Sequence, residues 1–284
     1  MILNKEHLAI RDTVKAFIEK EINPHTNEWE KEGIFPAHEL FKKMGDLGLL
    51  GISKPTEFGG MGLDYSYQVV FSEELGLISS GGVSMAIGVQ TDMATPALAK
   101  YGSDQLRQEF LAPAISGDMV CSIAVSEPSA GSDVSAIKTT AVKDGDDYII
   151  NGTKMWITNS TQADFICLLA NTSDESPHSN KSLIVVPMDL PGISLSERFN
   201  KLGMRSSDTA QIFFDDVRVP QRNLIGAEGK GFRYQMEQFQ EERIFGAAGA
   251  LKMLEQVIKD TIEYTSQRKA FGKSILDNQV VHFR

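Results

Sequence analysis

Only two cysteines occur in 284 residues, Cys121 and Cys167, and each sits in an apolar run, not in a CxxC pair. That usage excludes a disulfide framework and suits a reducing compartment. HExxH is missing too, so no metal site is expected. No apolar run is long enough for a signal peptide or a membrane span. The N-terminal stretch Met1 to His7 also lacks the Arg-rich character of a transit peptide. The expectation is a soluble protein, made in place or already processed, in bacterial cytoplasm or mitochondrial matrix. Positive charge is short: 28 Lys and Arg against 38 Asp and Glu leave a formal net charge of -10. Such a balance argues against a nucleic-acid partner, which needs a basic face. A phosphorylated cofactor needs only a few local donors and stays possible. No GxGxxG opens a helix, which argues against a Rossmann nucleotide site.

What is present divides into three blocks of an α+β chain. Residues 1–119 read as a helical domain: Asn4 is placed to cap a helix with Ile10, Val14, Phe17 and Ile18 on one face, ended by Pro24. Leu40, Phe41, Met44 and Leu47 form a second stripe, 64–79 and 83–90 are further helices, and Asp104 to Ile115 is a helix kinked by Pro113. Residues 120–228 change period. Short β-branched runs at Met119–Val125, Lys138–Val142, Tyr148–Asn151, Lys154–Thr158, Phe165–Ala170, Leu183–Pro187 and Ala210–Phe214 predict a middle antiparallel β-barrel or sandwich domain. Lys143-Asp144-Gly145-Asp146 marks a hairpin, and Asn171 to Asn180 a surface loop. Residues 229–284 are helical again, with one long helix from Phe232 to about Gln267, a turn at Lys269–Lys273 and a helix opening at Ser274. The ending at Arg284, without capping glycine or polar tail, reads as a truncation.

On the long helix, Phe232, Met236, Phe239, Gly246, Ala250, Met253 and Val257 predict a core-facing stripe. At 100° per residue Glu242 lies about 60° to one side of Phe239 and Arg243 about 40° to the other, while Glu241 points about 160° away, to solvent. Glu242 and Arg243 are then either rim charges paired across helices or a carboxylate held beside a ligand pocket, where burial would suit it to be a general base. Geometry nominates the pair without deciding. Gly246 to Ala250 leave a smooth surface for a flat ligand or another backbone.

Two further segments invite the same double reading. Val125 to Asp133 follows a strand, and its small residues with Ser126 and Ser132 offer N–H and hydroxyl donors to a pyrophosphate or a polar ring edge; any Ser/Gly/Pro loop has this composition. Met155-Trp156-Ile157-Thr158-Asn159 is a strand end with Trp156 and Thr158 expected on one face, suited either to a planar heterocycle or to an ordinary core Trp with a turn-forming Thr-Asn.

Taken in order, Ser126–Asp133, Asn151–Asn159, Gly203-Met204-Arg205-Ser206-Ser207-Asp208-Thr209 and Arg268–Lys273 resemble the acyl-CoA dehydrogenase family along the whole chain. The resemblance implies an N-terminal helical domain, a middle β-domain and a C-terminal helical bundle, here incomplete. It implies FAD at a dimer or tetramer interface, an acyl-CoA substrate, and an electron-transfer flavoprotein as acceptor. By the same resemblance, Ser126 hydrogen-bonds the flavin ring, Trp156, Ile157 and Thr158 lie beside it with Thr158 near N5, and Ser132 sits by the cofactor and contacts the CoA portion. Arg268 and Gln279 match residues that hold a neighbouring subunit's FAD. Ile123 replaces an aromatic found in many relatives, so any contact there is apolar or through backbone. Glu242-Arg243, with Phe239 at the substrate, matches the members that carry the base on the long helix, and Gln240 to Ile244 looks closest to the long-chain or isovaleryl type. Three rivals stand: an oxygen-using acyl-CoA oxidase, a flavin monooxygenase of the same fold, and a non-catalytic fragment serving as a binding or assembly module.

Overall fold

The computed structural model describes residues 3–284; Met1 and Ile2, where the N-terminal stretch starts, lie outside the described residues. Asn4 caps α1 (Lys5–Phe17) by accepting from His7 N at 2.9 Å, and Val14, Phe17 and Ile18 are buried as their spacing predicts. The chain widens into a π turn at Ile18–Ile22 before Pro24 forces a 3₁₀ turn at Asn23–His25. α2 (Thr26–Glu32) ends at Gly33, whose φ of 72° needs no Cβ. α3 (Ala37–Asp46) buries Leu40, Phe41 and Met44, but Leu47 falls past its end and stays exposed. α4 (Tyr65–Glu74) and α5 (Gly81–Gly88) follow, then a π turn at Val89–Ala94 that runs into α6 (Thr95–Tyr101). The expected kinked helix is α7 (Asp104–Leu106), a π turn at Arg107–Leu111 and α8 (Ala112–Ser116): Pro113 has no N–H to give, and the turn before it widens.

Strands then take over. They are β1 (Cys121–Ala124), β2 (Thr140–Asp144), β3 (Asp147–Thr158), β4 (Phe165–Asn171), β5 (Lys181–Pro187), β6 (Ile193–Leu195), β7 (Thr209–Pro220) and β8 (Leu224–Ile225). They form one eight-stranded sheet in the order β6-β7-β3-β2-β4-β5-β8, with β1 added to β4. Antiparallel pairing holds for β2–β3, β3–β7, β4–β5, β5–β8 and β6–β7. β1 instead runs parallel to β4, and β2 meets β4 in parallel through Thr140 and Asn171, so the sheet is mixed. Two runs read as separate strands are one, because Gly152, at φ 144°, lets β3 continue through a bulge beside Thr139. The Asp144–Asp147 hairpin forms as its Asp-Gly signal predicts, with Gly145 at φ 60°. Cys121 and Cys167 are both buried free thiols, Cys121 Sγ donating to Gln90 O at 3.8 Å; burial pushes the Cys167 thiol up to about 12.

After β8 the chain enters α9 (Gly231–Gln267). The stripe predicted for it is displaced. Gly231, Gln235, Gln238, Phe245, Ala248 and Thr265 are the buried positions, whereas Met253 and Val257 are exposed and Phe232, Met236 and Phe239 only half-buried. Periodicity finds the most apolar face, but here α9 docks through polar and small residues: Gln238 Oε1 accepts from Ala97 N at 2.8 Å, and Phe245 fits over Gly88, where a Cβ would fall 2.4 Å from its ring. At Gly249 the small-residue surface takes another backbone, since a Cβ on Gly76 would lie 2.2 Å from Gly249 O; Gly246 faces open space. Beyond α9, β9 (Lys269–Ala270) and β10 (Lys273–Ser274) pair across Phe271 and Gly272, at φ 53° and 78°. The helix expected from Ser274 is a 3₁₀ turn at Ile275–Asp277 followed by the short α10 (Gln279–His282).

Candidate active site

The end of β3 and the loop after β1 are built against each other. Met155 N donates to Ser126 O at 2.8 Å, and Ser122 Oγ donates to Thr158 O at 2.5 Å. Between Lys154 and Ile157 the register with β7 slips, and Trp156 takes φ 65°. A bulky residue in the left-handed region is strained, and such strain is characteristic of functional segments. The bulge breaks strict alternation. Trp156 stands out, 58% exposed against Phe199, while Thr158 is half-buried and the Ile157 side chain lies in the sheet core, leaving only its backbone to face outward.

Polar residues behind this edge hold it, and the sequence reading passed over them. Glu127 is buried and receives Lys138 N at 2.7 Å, Thr139 N at 2.9 Å and Lys154 Nζ at 2.9 Å. Lys154, fully buried, also donates to Val125 O at 2.9 Å. Burial opposes the Glu127 charge, yet Lys154 and the three hydrogen bonds win and hold its carboxyl below the usual range. The loop and the strand are thus tied by a buried ion pair. From the other side Asp208 accepts from Thr161 N and Oγ1 at 2.7 and 2.8 Å and from Gln162 Nε2 at 3.0 Å. Its carbonyl accepts from Asn159 N at 3.1 Å. No local signal marked them: Glu127, Lys154 and Asp208 sit in polar, turn-rich segments where charges ordinarily stay in solvent.

The hydroxyls of Ser126 and Thr158 make no hydrogen bond among the described residues, and neither does the exposed Ser132. Donors free at the rim of an exposed, strained indole fit the polar edge and flat face of a flavin ring. Ile123 is half-buried in the adjoining strand. Among the described residues no cluster of His, Cys, Asp or Glu could hold a metal.

On α9, Glu242 is half-buried with no side-chain hydrogen bond among the described residues; desolvation raises its pKa and the neighbouring Arg243 opposes the rise. Arg243 is exposed, donates to Phe239 O at 3.2 Å and lies 5.6 Å over the Phe239 ring. The expectation that Glu241 points to solvent is overturned: it is half-buried near Lys54 and Asp92, because the docked face of α9 is the one carrying Gln238 and Phe245, one turn to either side. Arg268 and Gln279 are exposed at the far end of the chain, and among the described residues no hydrogen bond joins their side chains to the β3 edge.

Profiles of the acyl-CoA dehydrogenase N-terminal, middle and C-terminal domains match residues 4–118, 122–217 and 229–284. The long-chain specific acyl-CoA dehydrogenase, mitochondrial, of Sus scrofa is 37% identical over 100% of this chain and 66% of its own length. The short-chain specific enzyme of Rattus norvegicus is also 37% identical, over 99% of this chain and 68% of its own. A crystal structure of acyl-CoA dehydrogenase from Geobacillus kaustophilus superposes with a TM-score of 0.93 at 42% identity, covering 99% of this chain and 74% of that one. The fold and these matches define an FAD-dependent oxidoreductase scaffold. The chain belongs to the acyl-CoA dehydrogenase family. It spans about two thirds of the length of the curated relatives it matches. Equal identity to long-chain and short-chain relatives gives no preference for either acyl length. No described helix is long and apolar enough to cross a membrane.

Proposed function

We propose that the chain carries out FAD-dependent α,β-dehydrogenation of an acyl-CoA thioester to the trans-2-enoyl-CoA, with Glu242 as the base. The observation that carries this reading is a desolvated, unbonded carboxylate on α9 in a chain whose β3 end, tied to the Ser126 loop, presents a strained Trp156 and the free Thr158 hydroxyl. When bound, FAD supplies the two-electron oxidising chemistry. Ser126 and Thr158 are assigned to its polar edge, Trp156 to its face, and Ile123 and Ile157 to apolar or backbone contact. Ser132 and Phe239 are assigned to the CoA arm, with Ser132 also at the cofactor. Arg268 and Gln279 are assigned to the flavin of a neighbouring subunit in a dimer or tetramer.

An α-C–H beside a thioester is a weak acid, so the base must be strong for a carboxylate. Glu242 meets this by desolvation, and substrate that excludes water raises its pKa further. Arg243 supports the site electrostatically while tempering the rise. Domain divisions are placed at 119/120 and 228/229, with an electron-transfer flavoprotein as acceptor and a mitochondrial or bacterial cytoplasmic home. Replacing Glu242 by Gln should abolish thioester-dependent flavin reduction and leave flavin bound; an active variant would move the base elsewhere. Stoichiometric peroxide during turnover would favour an oxidase instead.

A further inference from the structure

Two adjoining cavities, of about 290 and 420 Å³, lie between α9 and the segment Thr95–Tyr101. They share Tyr65, Pro96, Lys100 and Glu241, so they are two lobes of one cleft. Tyr234, Glu237, Gln238, Glu241 and Ile244 line it at three- and four-residue steps, one face of α9. Glu242 lines neither lobe.

The cleft carries polar groups that the protein leaves without partners. Lys54, 5% exposed, lines the inner lobe, and its ammonium makes no hydrogen bond or ion pair among the described residues. Gln238, 3% exposed, lines the outer lobe; its Oε1 is used by Ala97 N, but its Nε2 is buried without an acceptor. Gln238 Nε2 is a buried donor without an acceptor, and the Lys54 ammonium opens on the same cleft without a hydrogen bond; buried donors are almost always satisfied, so the pair points to a ligand that accepts from them. Glu241 faces the inner lobe with no side-chain hydrogen bond of its own among the described residues. Burial lowers the Lys54 pKa against the charges of Asp92 and Glu241, and raises that of Glu241 against the charge of Lys54.

Charge narrows the ligand. An anion would meet Glu241 and also Asp92, which is buried, interacts with Lys54 and is held by Gln68, Thr91 and Tyr65. A cation would meet Lys54 and Lys100. A neutral group that accepts from Lys54 and donates to Glu241 satisfies both walls. Leu63, Pro55 and Ala99 supply apolar surface beside it, and Tyr101, stacked on Tyr234 at 3.9 Å, walls the outer lobe.

We propose that this cleft binds a small neutral ligand bearing a carboxamide or hydroxyl on a short apolar body. It stands independently of the dehydrogenase reading, since it uses none of the residues assigned to catalysis or flavin. The test is a ligand-observed NMR titration of the 284-residue chain with benzamide, benzyl alcohol, benzoate and benzylammonium, repeated on Lys54→Met and Glu241→Met. Benzamide and benzyl alcohol separate the carboxamide from the hydroxyl. The expected result is binding of at least one neutral probe in preference to both charged ones, weakened about tenfold in each variant, as losing a hydrogen bond to a charged group implies. If Lys54→Met fails to fold, Glu241→Met carries the comparison alone. No neutral-probe binding, equal or tighter binding of benzoate or benzylammonium, or neutral binding unchanged in the folded variants would overturn the proposal.

Discussion

Glu242 and Glu127 show how differently one fold treats its carboxylates. Glu242 is desolvated without a compensating partner of opposite sign other than Arg243, so its pKa rises. A base must be ionised to accept a proton. Thioester-dependent flavin reduction should therefore fall as pH drops through a value above the ordinary glutamate range, and stopped-flow reduction across pH 4 to 8 measures it (a window set about the reference glutamate pKa of roughly 4.3). A limb at or below that reference would assign the base to another group. For stability the sign is opposite: with its folded pKa raised, ionised Glu242 costs stability above the unfolded pKa, so Glu242→Gln should unfold at an equal or higher denaturant concentration. Glu127 behaves the other way. Its lowered pKa contributes stability above the unfolded value, lost as pH falls through the folded one. Lys154→Met leaves that carboxylate buried and unpaired, and should cost about 3–5 kcal/mol in chemical unfolding, with weaker flavin retention. Adding Glu127→Gln should recover part of it. An additive double mutant would show that the pair does not couple.

At the scale of elements, the close crossing of α9 over the turn after α4 rests on the absence of Cβ atoms. Gly76→Ala places a carbon 2.2 Å from Gly249 O, so the helices must part. A loss of about 1–3 kcal/mol is expected in thermal or chemical unfolding. A variant as stable as the parent would mean that the crossing is looser than drawn. The elements that were legible in the sequence are those with local signals: the Asn4 cap, the Asp-Gly hairpin and the Val14, Phe17, Ile18 stripe all depend on neighbours a few residues apart. What escaped was decided at long range. The parallel pairing of β1 on β4 joins Cys121 to Phe165, the bulge in β3 answers to β7, and the docked face of α9 is chosen by Ala97 and Gly88. The site divides the same way. Trp156, Thr158 and Ser126 could be nominated from a strand end and a loop, with only the family resemblance choosing between the two readings, whereas Glu127, Lys154 and Asp208 read as ordinary charges until the fold buried them.

Across the molecule, the mixed sheet carries the edge proposed to face the flavin and α9 carries the proposed base, so the two halves of the proposed chemistry sit on different scaffolds. The last 56 residues, 229–284, match the C-terminal profile, and α9 leaves Leu251, Leu254, Ile258 and Ile262 exposed along its second half. The central claim is that this chain holds FAD and that a CoA thioester reduces it through Glu242. The most direct measurement is the absorbance spectrum of the purified 284-residue chain and its Glu242→Gln variant, before and after anaerobic addition of long-, short- and branched-chain acyl-CoAs. Bleaching of the parent's flavin band, with the variant's unchanged, is the predicted result. A chain without flavin, or a flavin band that no thioester bleaches, would contradict it.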